Sequence, residues 1–528
     1  MRYPMESIFE VKCKDIIGRI GMLRSARHEV ETPTLLPVVN PSKLIISANE
    51  LYEGFGVRAL ITNAYLVRKF LCQEAIRKGI HGLLKFEGLI VTDSGAYQIL
   101  KYGGIDAKQR EVVEFQEAIR TDVGIILDIP TGSEHDEDRV RFSVEETIRR
   151  ADEAVRLRRS EDIVWIGPIQ GGTHLDLLGH SAREMSKRPY PVLALGSPTV
   201  IMERYQYKAL VDMIMTTKMN IPPSRPLHLF GAGHPSMMSF AVALGCDIFD
   251  SAAYALFAYE GRYMTEDGTL KLQDMEYLPC SCPVCLKNTV NELRGLEPKE
   301  RASRIARHNL WTSLAEVKRI KQAIREGRLW ELLERRSRAH PALKEALQAL
   351  GGYSEYLERH SPSDKPHGIF YYDRGSIARP EIVRFRRRLG KCFDSCAASR
   401  SIMFITYPWG QLPKRLSKKA KIALRKNKIR NVDKITDAVF VPPLGPIPME
   451  LLEAYPAGKI TMPSDLDWET LDDTIRFSED IMRGKGHVLV VADGSAQAKG
   501  ILERSPWLRM KMATWPSMKS GKRASKGA

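Results

Sequence analysis

The sequence predicts an α/β protein built on a (β/α)8 TIM barrel, and two observations support this prediction. Short apolar runs bounded by turn-forming residues alternate with helix-like stretches through the first 250 residues, which is typical of parallel strands covered on both faces. Polar side chains suited to chemistry follow the carboxyl ends of these runs, where barrel enzymes assemble their active sites. An open, doubly wound sheet is the alternative that the pattern alone leaves.

Eight apolar runs are the predicted strands of the barrel. Each is short and ends in polar or glycine residues, and amphipathic stretches separate them. The runs are Leu35–Val38, Ala59–Thr62, Leu89–Thr92, Gly124–Leu127, Ile163–Ile169, Val192–Leu195, Leu227–Phe230 and Asp247–Phe249.

A compact cysteine cluster follows the last predicted strand. Cys280, Cys282 and Cys285 lie within six residues, and His308 stands 23 positions beyond the third cysteine. Three thiolates and one imidazole complete the tetrahedral shell of Zn²⁺ and leave no position for water, so the set predicts one structural zinc per chain. We therefore expect a zinc-binding subdomain at about residues 280–310, inserted in the barrel domain.

The rest of the chain predicts a second, smaller α/β region. Residues 1–350 are assigned to the barrel domain with its zinc subdomain, and residues 351–395, where Gly, Ser and Pro cluster at the start, to a connecting region. A C-terminal α/β domain is predicted over residues 396–507, and a flexible basic tail over residues 508–528. Three apolar runs mark the strands of this second domain: Ile402–Thr406, Ala438–Val441 and Val488–Val491.

The charge balance favours a polyanionic partner. The chain has 80 Lys and Arg against 64 Asp and Glu, a net charge of +16 and a pI near 9.4, and Lys and Arg contacts to phosphate dominate nucleic-acid affinity. No apolar run is long enough to span a membrane and the N-terminus has no secretory pattern. We expect a cytoplasmic protein with no membrane association.

Two carboxylates stand at predicted strand ends. Asp93 follows the run Leu89–Thr92, and Asp250 follows the last run of the barrel. In a closed barrel all strand ends surround one mouth, so both acids are expected to face the same cavity. A strand-end Asp that only caps the next helix is the alternative for each.

Several motifs of this chain resemble those of tRNA-guanine transglycosylases. The segments that carry the resemblance occur in the order found in that family, and the Cys/His set resembles its zinc site. The form of the segment around Asp250 and the C-terminal extension resemble the archaeal branch. The segments are Thr92–Gln98, Ile169–Gly172, Ala194–Pro198, Phe249–Tyr254, Pro443–Leu451 and Tyr455–Pro456.

The resemblance implies a reaction. Guanine at position 15, in the D-arm of tRNA, is exchanged for 7-cyano-7-deazaguanine in archaeosine biosynthesis. Exchange with retained anomeric configuration requires two displacements, and hence a carboxylate nucleophile and an acid/base. By analogy with the family, Asp250 is the nucleophile and Asp93 the acid/base; the sequence leaves the reversed assignment open.

The resemblance also implies a base-binding pocket. Asp128 and Gln170 are expected to hydrogen-bond the purine edge, with Ser94 and groups at Gly196 and Ser197 contributing. Tyr97 is expected to stack on the heterocycle of the target nucleotide. That nucleotide must leave its own stack to reach the pocket. The substrate-binding residues are thus Ser94, Tyr97, Asp128, Gln170, Gly196 and Ser197.

A basic run is the candidate for tRNA phosphate contacts. Between Lys414 and Arg430, nine of 17 residues are Lys or Arg and none is acidic; a solvated helix face is the alternative. The residues assigned to tRNA binding are Lys414, Arg415, Lys418, Lys419, Lys421 and Arg425.

One departure from the archaeal pattern concerns the C-terminus. Archaeal members usually end in a PUA domain, and the chain leaves no room for one before its basic tail. Either a separate PUA-domain polypeptide supplies that domain or the basic tail partly replaces it. The other expected partners are tRNA and a second copy of the chain in a homodimer. The alternatives are a catalytically silent tRNA-binding paralogue, which has no need for both Asp93 and Asp250, and the sister archaeosine synthase.

Overall fold

The structure is a computed structural model that describes residues 8–96, 108–132, 136–395, 400–409, 435–483 and 487–512. Its contacts divide the chain into two compact units, Met1–Pro366 and His367–Ala528. The residues predicted as a connecting region, 351–395, are divided between the two units.

The first unit contains a closed barrel of parallel strands, as the sequence predicts. The first barrel strand, Thr34–Val39, pairs with the last, Ile248–Ser251, and this pairing closes the barrel. All eight predicted runs overlap these strands. In chain order they are Thr34–Val39, Ala59–Asn63, Leu89–Asp93, Val123–Ile125, Val164–Ile169, Val192–Leu195, Leu227–Leu229 and Ile248–Ser251.

An antiparallel sheet precedes the barrel. Its three strands are Phe9–Asp15, Gly18–Arg24 and Glu29–Thr32. Phe9 and Leu23 share a buried cluster with residues near the amino ends of most barrel strands. The sheet therefore covers the amino-terminal end of the barrel and leaves the carboxyl end of the strands open for a site.

Helices alternate with the barrel strands, and local sequence signals explain their starts. The Asn63 side chain accepts a hydrogen bond from the first turn of the helix Ala64–Leu84, an N-cap that satisfies one free backbone donor. The barrel-associated helices are Ala48–Glu53, Ala64–Leu84, Gln109–Ala118, Glu137–Leu157, Leu175–Ser186, Thr199–Glu203, Tyr207–Met219, Pro235–Ala243 and Ala253–Tyr259.

Between the last barrel strand and a long helix lies the segment that carries the cysteines. A short hairpin, Arg262–Met264 with Thr269–Lys271, comes first, and the helix Val290–Gly295 follows the cysteines. The helix Pro298–Glu326 then carries His308. The helices that complete the first unit are Leu329–Ser337, Pro341–Ala349 and Ser354–His360.

The second unit has a four-stranded sheet. The strands Arg400–Ile405, Ile435–Val441 and His487–Ala492 are parallel, and Gly445–Pro448 joins the edge antiparallel. The three runs predicted for this region overlap the parallel strands. Side chains of the helices Pro380–Ser395, Trp468–Arg483 and Ala496–Arg504 share one buried cluster with the sheet, and Pro506–Met510 follows them.

Within the described residues, no helix combines the length and the apolar composition that crossing a lipid bilayer requires.

Candidate active site and metal centre

A large cavity opens at the carboxyl ends of the barrel strands. It has a volume of about 1230 Å³ and is lined by side chains from most of the strand ends. Among its lining residues are three carboxylates that stand at or just beyond a barrel strand: Asp93, Asp128 and Asp250. The strand-end acids singled out from the sequence therefore face one cavity.

The Asp250 carboxylate is held by two donors. The Oδ1 atom lies 2.9 Å from the Nε2 atom of His228 and accepts a hydrogen bond of 3.1 Å from the Gly231 backbone N–H. The His228 Nδ1 atom is buried and has no partner among the described residues. We therefore assign the ring proton to Nε2, which donates to the carboxylate. These contacts fix one oxygen and leave Oδ2 for a reacting atom.

Asp93 lies in a different electrostatic setting. Burial, followed by repulsion from the Asp128 and Asp250 carboxylates, raises the pKa of Asp93 from 3.8 to about 7. Its Oδ2 atom accepts hydrogen bonds from the Asn63 side-chain amide, at 2.9 Å, and from the Gly95 backbone N–H, at 3.2 Å. A carboxyl that titrates near neutral pH exchanges a proton readily in either direction, as acid/base catalysis requires.

A chain of hydrogen bonds joins three residues predicted to bind the base. The Gln170 Nε2 donates to Asp128 Oδ2 at 2.5 Å, and Gln170 Oε1 accepts from the Ser197 hydroxyl at 2.9 Å. Burial raises the pKa of Asp128 to about 6, although the Gln170 amide opposes this rise. These hydrogen bonds orient the Gln170 amide and leave Asp128 Oδ1 for a ligand.

Gly196 is needed for the close packing of the hydrogen-bonded Gln170 side chain. A Cβ atom at Gly196 would lie 2.2 Å from Gln170 Nε2, far inside van der Waals contact. Its role here is to give space to the amide.

The remaining predicted site residues either lie away from the cavity lining or fall outside the described residues. The Ser94 side chain is buried, its hydroxyl has no partner among the described residues, and it is not among the residues that line the cavity. Tyr97 and the basic run at 414–430 lie outside the described residues.

Two residues of the site are absent from the sequence-based prediction. His228 lies inside a barrel strand, where an isolated His is typical of a buried core position. Asn63 has the position and residue type of an ordinary helix cap, and it does cap the following helix. Asn63 carried a signal, because it ends its barrel strand as Asp93 does, whereas His228 is the middle residue of the strand Leu227–Leu229.

The cysteine cluster forms a second, separate centre. The Sγ atoms of Cys282 and Cys285 are 3.5 Å apart, and they lie 3.5 Å and 3.4 Å from Nδ1 of His308. All four candidate ligand atoms, including Cys280 Sγ, lie within 4.8 Å of one another. The four predicted residues are thus brought together, and this Cys/His group has the composition to hold a metal ion.

The donor geometry of this group fits a tetrahedral zinc ion. Ligands at tetrahedral positions around zinc, with bonds of about 2.3 Å to sulfur and 2.0–2.1 Å to nitrogen, lie about 3.8 Å (S to S) and 3.6 Å (S to N) apart. The His308 Nε2–H donates to the Met264 carbonyl at 2.8 Å, which leaves the Nδ1 lone pair directed at the thiols. The Tyr263 ring stacks on the His308 ring at 3.5 Å.

Known proteins resemble this chain in sequence over most of its length. The family model described as queuine tRNA-ribosyltransferase matches residues 13–342. The tRNA-guanine(15) transglycosylase of Saccharolobus solfataricus is 41% identical over 487 residues, covering 88% of this chain and 93% of that protein. The enzyme of the same name from Aeropyrum pernix is 41% identical over 490 residues, covering 91% and 93%.

A third relative has a longer chain. The tRNA-guanine(15) transglycosylase of Methanocaldococcus jannaschii is 45% identical over 390 residues, which cover 72% of this chain and 59% of that protein. The family match includes the barrel strands, the acid-lined cavity and the Cys/His group. The chain therefore belongs to the queuine tRNA-ribosyltransferase family, in the archaeal-type branch of tRNA-guanine transglycosylases.

Proposed function

We propose that the chain exchanges guanine at position 15 of tRNA for 7-cyano-7-deazaguanine by double displacement. Membership of the family makes it a tRNA glycosyltransferase, and the relatives described above are named for position 15. The observation that carries the proposal is the pair Asp93 and Asp250 in one cavity. One of these carboxylates is held by donors, and the pKa of the other is raised to about 7.

The first displacement uses both acids. Asp250 Oδ2 attacks C1′ of the target ribose, the C1′–N9 bond breaks, and Asp93 gives its proton to the departing guanine. The product is a covalent enzyme–RNA intermediate with inverted configuration at C1′. The hydrogen bonds from His228 and Gly231 hold Asp250 in place for the attack.

The second displacement reverses these roles. The ionised Asp93 takes the N9 proton of the incoming 7-cyano-7-deazaguanine, whose nitrogen attacks C1′ and releases the Asp250 carboxylate. A second inversion restores the original configuration, as in retaining glycosidases. The two opposite proton transfers explain why a pKa near neutrality is useful at Asp93.

The hydrogen-bonded residues Asp128, Gln170 and Ser197 are proposed to recognise the base. We assign Asp128 and Gln170 to the donors and acceptors of the purine edge, with Ser197 holding the Gln170 amide in orientation. Gly196 supports these residues by leaving space for the Gln170 amide, and Ser94 is proposed to contribute to substrate binding. Tyr97 is proposed to stack on the flipped heterocycle.

We further propose that Cys280, Cys282, Cys285 and His308 hold one zinc ion. The ion supplies structural cross-linking, because four protein ligands leave no open position for a substrate or water. Lys414–Arg430 is proposed to contact tRNA phosphates, and the assembly is proposed to be a homodimer.

The decisive assay follows guanine out of the tRNA. With catalytic amounts of this protein, we expect tRNA with labelled guanine at position 15 to lose its label over repeated turnovers only when 7-cyano-7-deazaguanine is supplied. A tRNA with the label at a different guanine is the matched control and should keep it. Retention of the label at position 15 would favour a silent paralogue, and an amidine on a base already inserted would favour the sister synthase.

The pH dependence of the first displacement tests the role of Asp93. Because burial and the neighbouring carboxylates raise its pKa to about 7, Asp93 carries its proton below pH 7 and loses it above. In single-turnover assays the rate of intermediate formation should fall up to tenfold per pH unit above about pH 7.

A variant shifts this inflection in a known direction. Asp128→Asn removes one of the charges that repel the ionised form of Asp93, so the inflection should move to lower pH. Asp176→Asn changes an exposed carboxyl and should leave it in place. An inflection that Asp128→Asn moves upward, or a flat profile between pH 6 and 8, would contradict the assignment of Asp93.

A further inference from the structure

The cavity is larger than one purine requires. Its volume of about 1230 Å³ exceeds the roughly 300–1,000 Å³ of pockets that enclose a whole drug-sized molecule. The three carboxylates account for one part of the lining. Another part is aromatic and includes Tyr205 and His340, which the reaction described above does not use.

Tyr205 presents an exposed ring at this cavity. Its exposed fraction is 51%, which is high for a large aromatic side chain. The His340 ring stacks on it with the ring centres 4.7 Å apart and the planes 20° apart, and the Tyr207 ring lies at 81° to it with the ring centres 5.9 Å apart. The ring is therefore supported from one side and accessible from elsewhere.

The support for this ring is itself fixed. His340 is the N-cap of the helix Pro341–Ala349, and its Nδ1 accepts a hydrogen bond of 3.1 Å from the Ala342 backbone N–H. Stacked on this anchored ring, Tyr205 does not have to be ordered when a ligand arrives, which lowers the entropic cost of binding.

The backbone conformation at Tyr205 also supports a functional role for its ring. Its φ of 57° lies in the left-handed region, which a bulky residue adopts at a cost and which glycine or asparagine fills more easily. An aromatic residue at such a position indicates that the ring has a use that outweighs the strain.

We propose that Tyr205, supported by His340, is a stacking platform for the base next to the target nucleotide of the tRNA. Extruding the target base removes a stacking partner from its neighbours, and unstacked RNA bases are characteristically held on aromatic side chains. The proposal rests on the proposed function, because it takes the acid-lined part of this cavity as the place of base exchange.

The test uses 2-aminopurine, whose emission is quenched by stacking, as the base on the 5′ or the 3′ side of the target guanosine. Bound to the wild-type protein, one of the two labelled tRNAs should be quenched by Tyr205. Tyr205→Ala should restore its emission and raise KM for tRNA about tenfold, within the roughly 5- to 160-fold that one base stack contributes. We expect kcat to change less than threefold.

Two further variants make the result specific. Tyr205→Phe keeps the ring and should restore both the quenching and KM. Phe142→Ala removes an exposed aromatic side chain that does not line the cavity and should behave like the wild type. Thermal melting of each variant checks that the fold is kept, and binding of free guanine to Tyr205→Ala should be unchanged.

The outcomes separate this proposal from the proposed function. If the wild-type protein does not release guanine, the proposed function fails whatever Tyr205 does. If the wild type exchanges guanine but Tyr205→Ala leaves KM and the emission of both labelled tRNAs unchanged, the platform is wrong. A Phe variant as defective as the Ala variant would also overturn it, because the hydroxyl and not the ring would then matter.

Discussion

Replacing Asp250 by Asn is expected to abolish base exchange, with a loss of about 10⁴-fold or more, as when a nucleophilic residue is removed from other enzymes. An amide does not form the covalent link to C1′ that the first displacement requires. The substitution is otherwise conservative, because the Asn Oδ1 still accepts the hydrogen bonds that His228 and Gly231 donate. Folding and tRNA binding should therefore stay nearly intact.

The measurement detects the adduct between protein and tRNA that survives denaturation, by its shift in a denaturing gel. The proteins compared are the wild type, Asp250→Asn, Asp93→Asn and the control Asp176→Asn. The wild type and the control should form it, and Asp250→Asn should not. An adduct with Asp250→Asn would reverse the assignment of the two acids and make Asp93 the nucleophile. A matched melting temperature and tRNA affinity would show that the loss is chemical.

Removing the proposed zinc ion is expected to have the largest effect on stability. Cys282 and Cys285 are buried in a cluster that also contains Leu60 of a barrel strand and Ile305 of the His308 helix. Thiols released from a metal at these positions would lose the bonds that link the cysteine loop to that helix. Because the binding free energy of a structural zinc is part of the folding free energy, we expect chelation to lower Tm by about 10 °C or more.

Elemental analysis and calorimetry together check this expectation. The purified protein should hold one zinc per chain, and Cys285→Ser should lose both the metal and the high Tm. Cys72→Ser changes a thiol outside the four-residue group and serves as the control. Folded, active protein without zinc, or a Tm indifferent to chelation, would show that the four side chains only pack together.

The barrel could be predicted because its strands are short, apolar and separated by amphipathic stretches. The N-terminal sheet could not be predicted, because most residues of its strand Phe9–Asp15 are exposed and the strand lacks a continuous apolar run. The acids at the strand ends were visible in the sequence, since parallel strands bring their carboxyl ends to one mouth. His228 was not, since its role depends on its contact with Asp250, a partner on the neighbouring strand.

The strand-end carboxylates Asp93, Asp128 and Asp250 bear on which purines we expect the cavity to accept. Repulsion between charges grows about fourfold from bulk water to the effective dielectric near a protein, so a phosphate brought close to Asp93, Asp128 and Asp250 is strongly disfavoured. Free guanine and its 7-deaza analogue carry no phosphate, whereas the abundant guanine nucleotides carry one to three. For the proposed exchange we therefore expect free heterocycles to bind beside these carboxylates more readily than guanine nucleotides do.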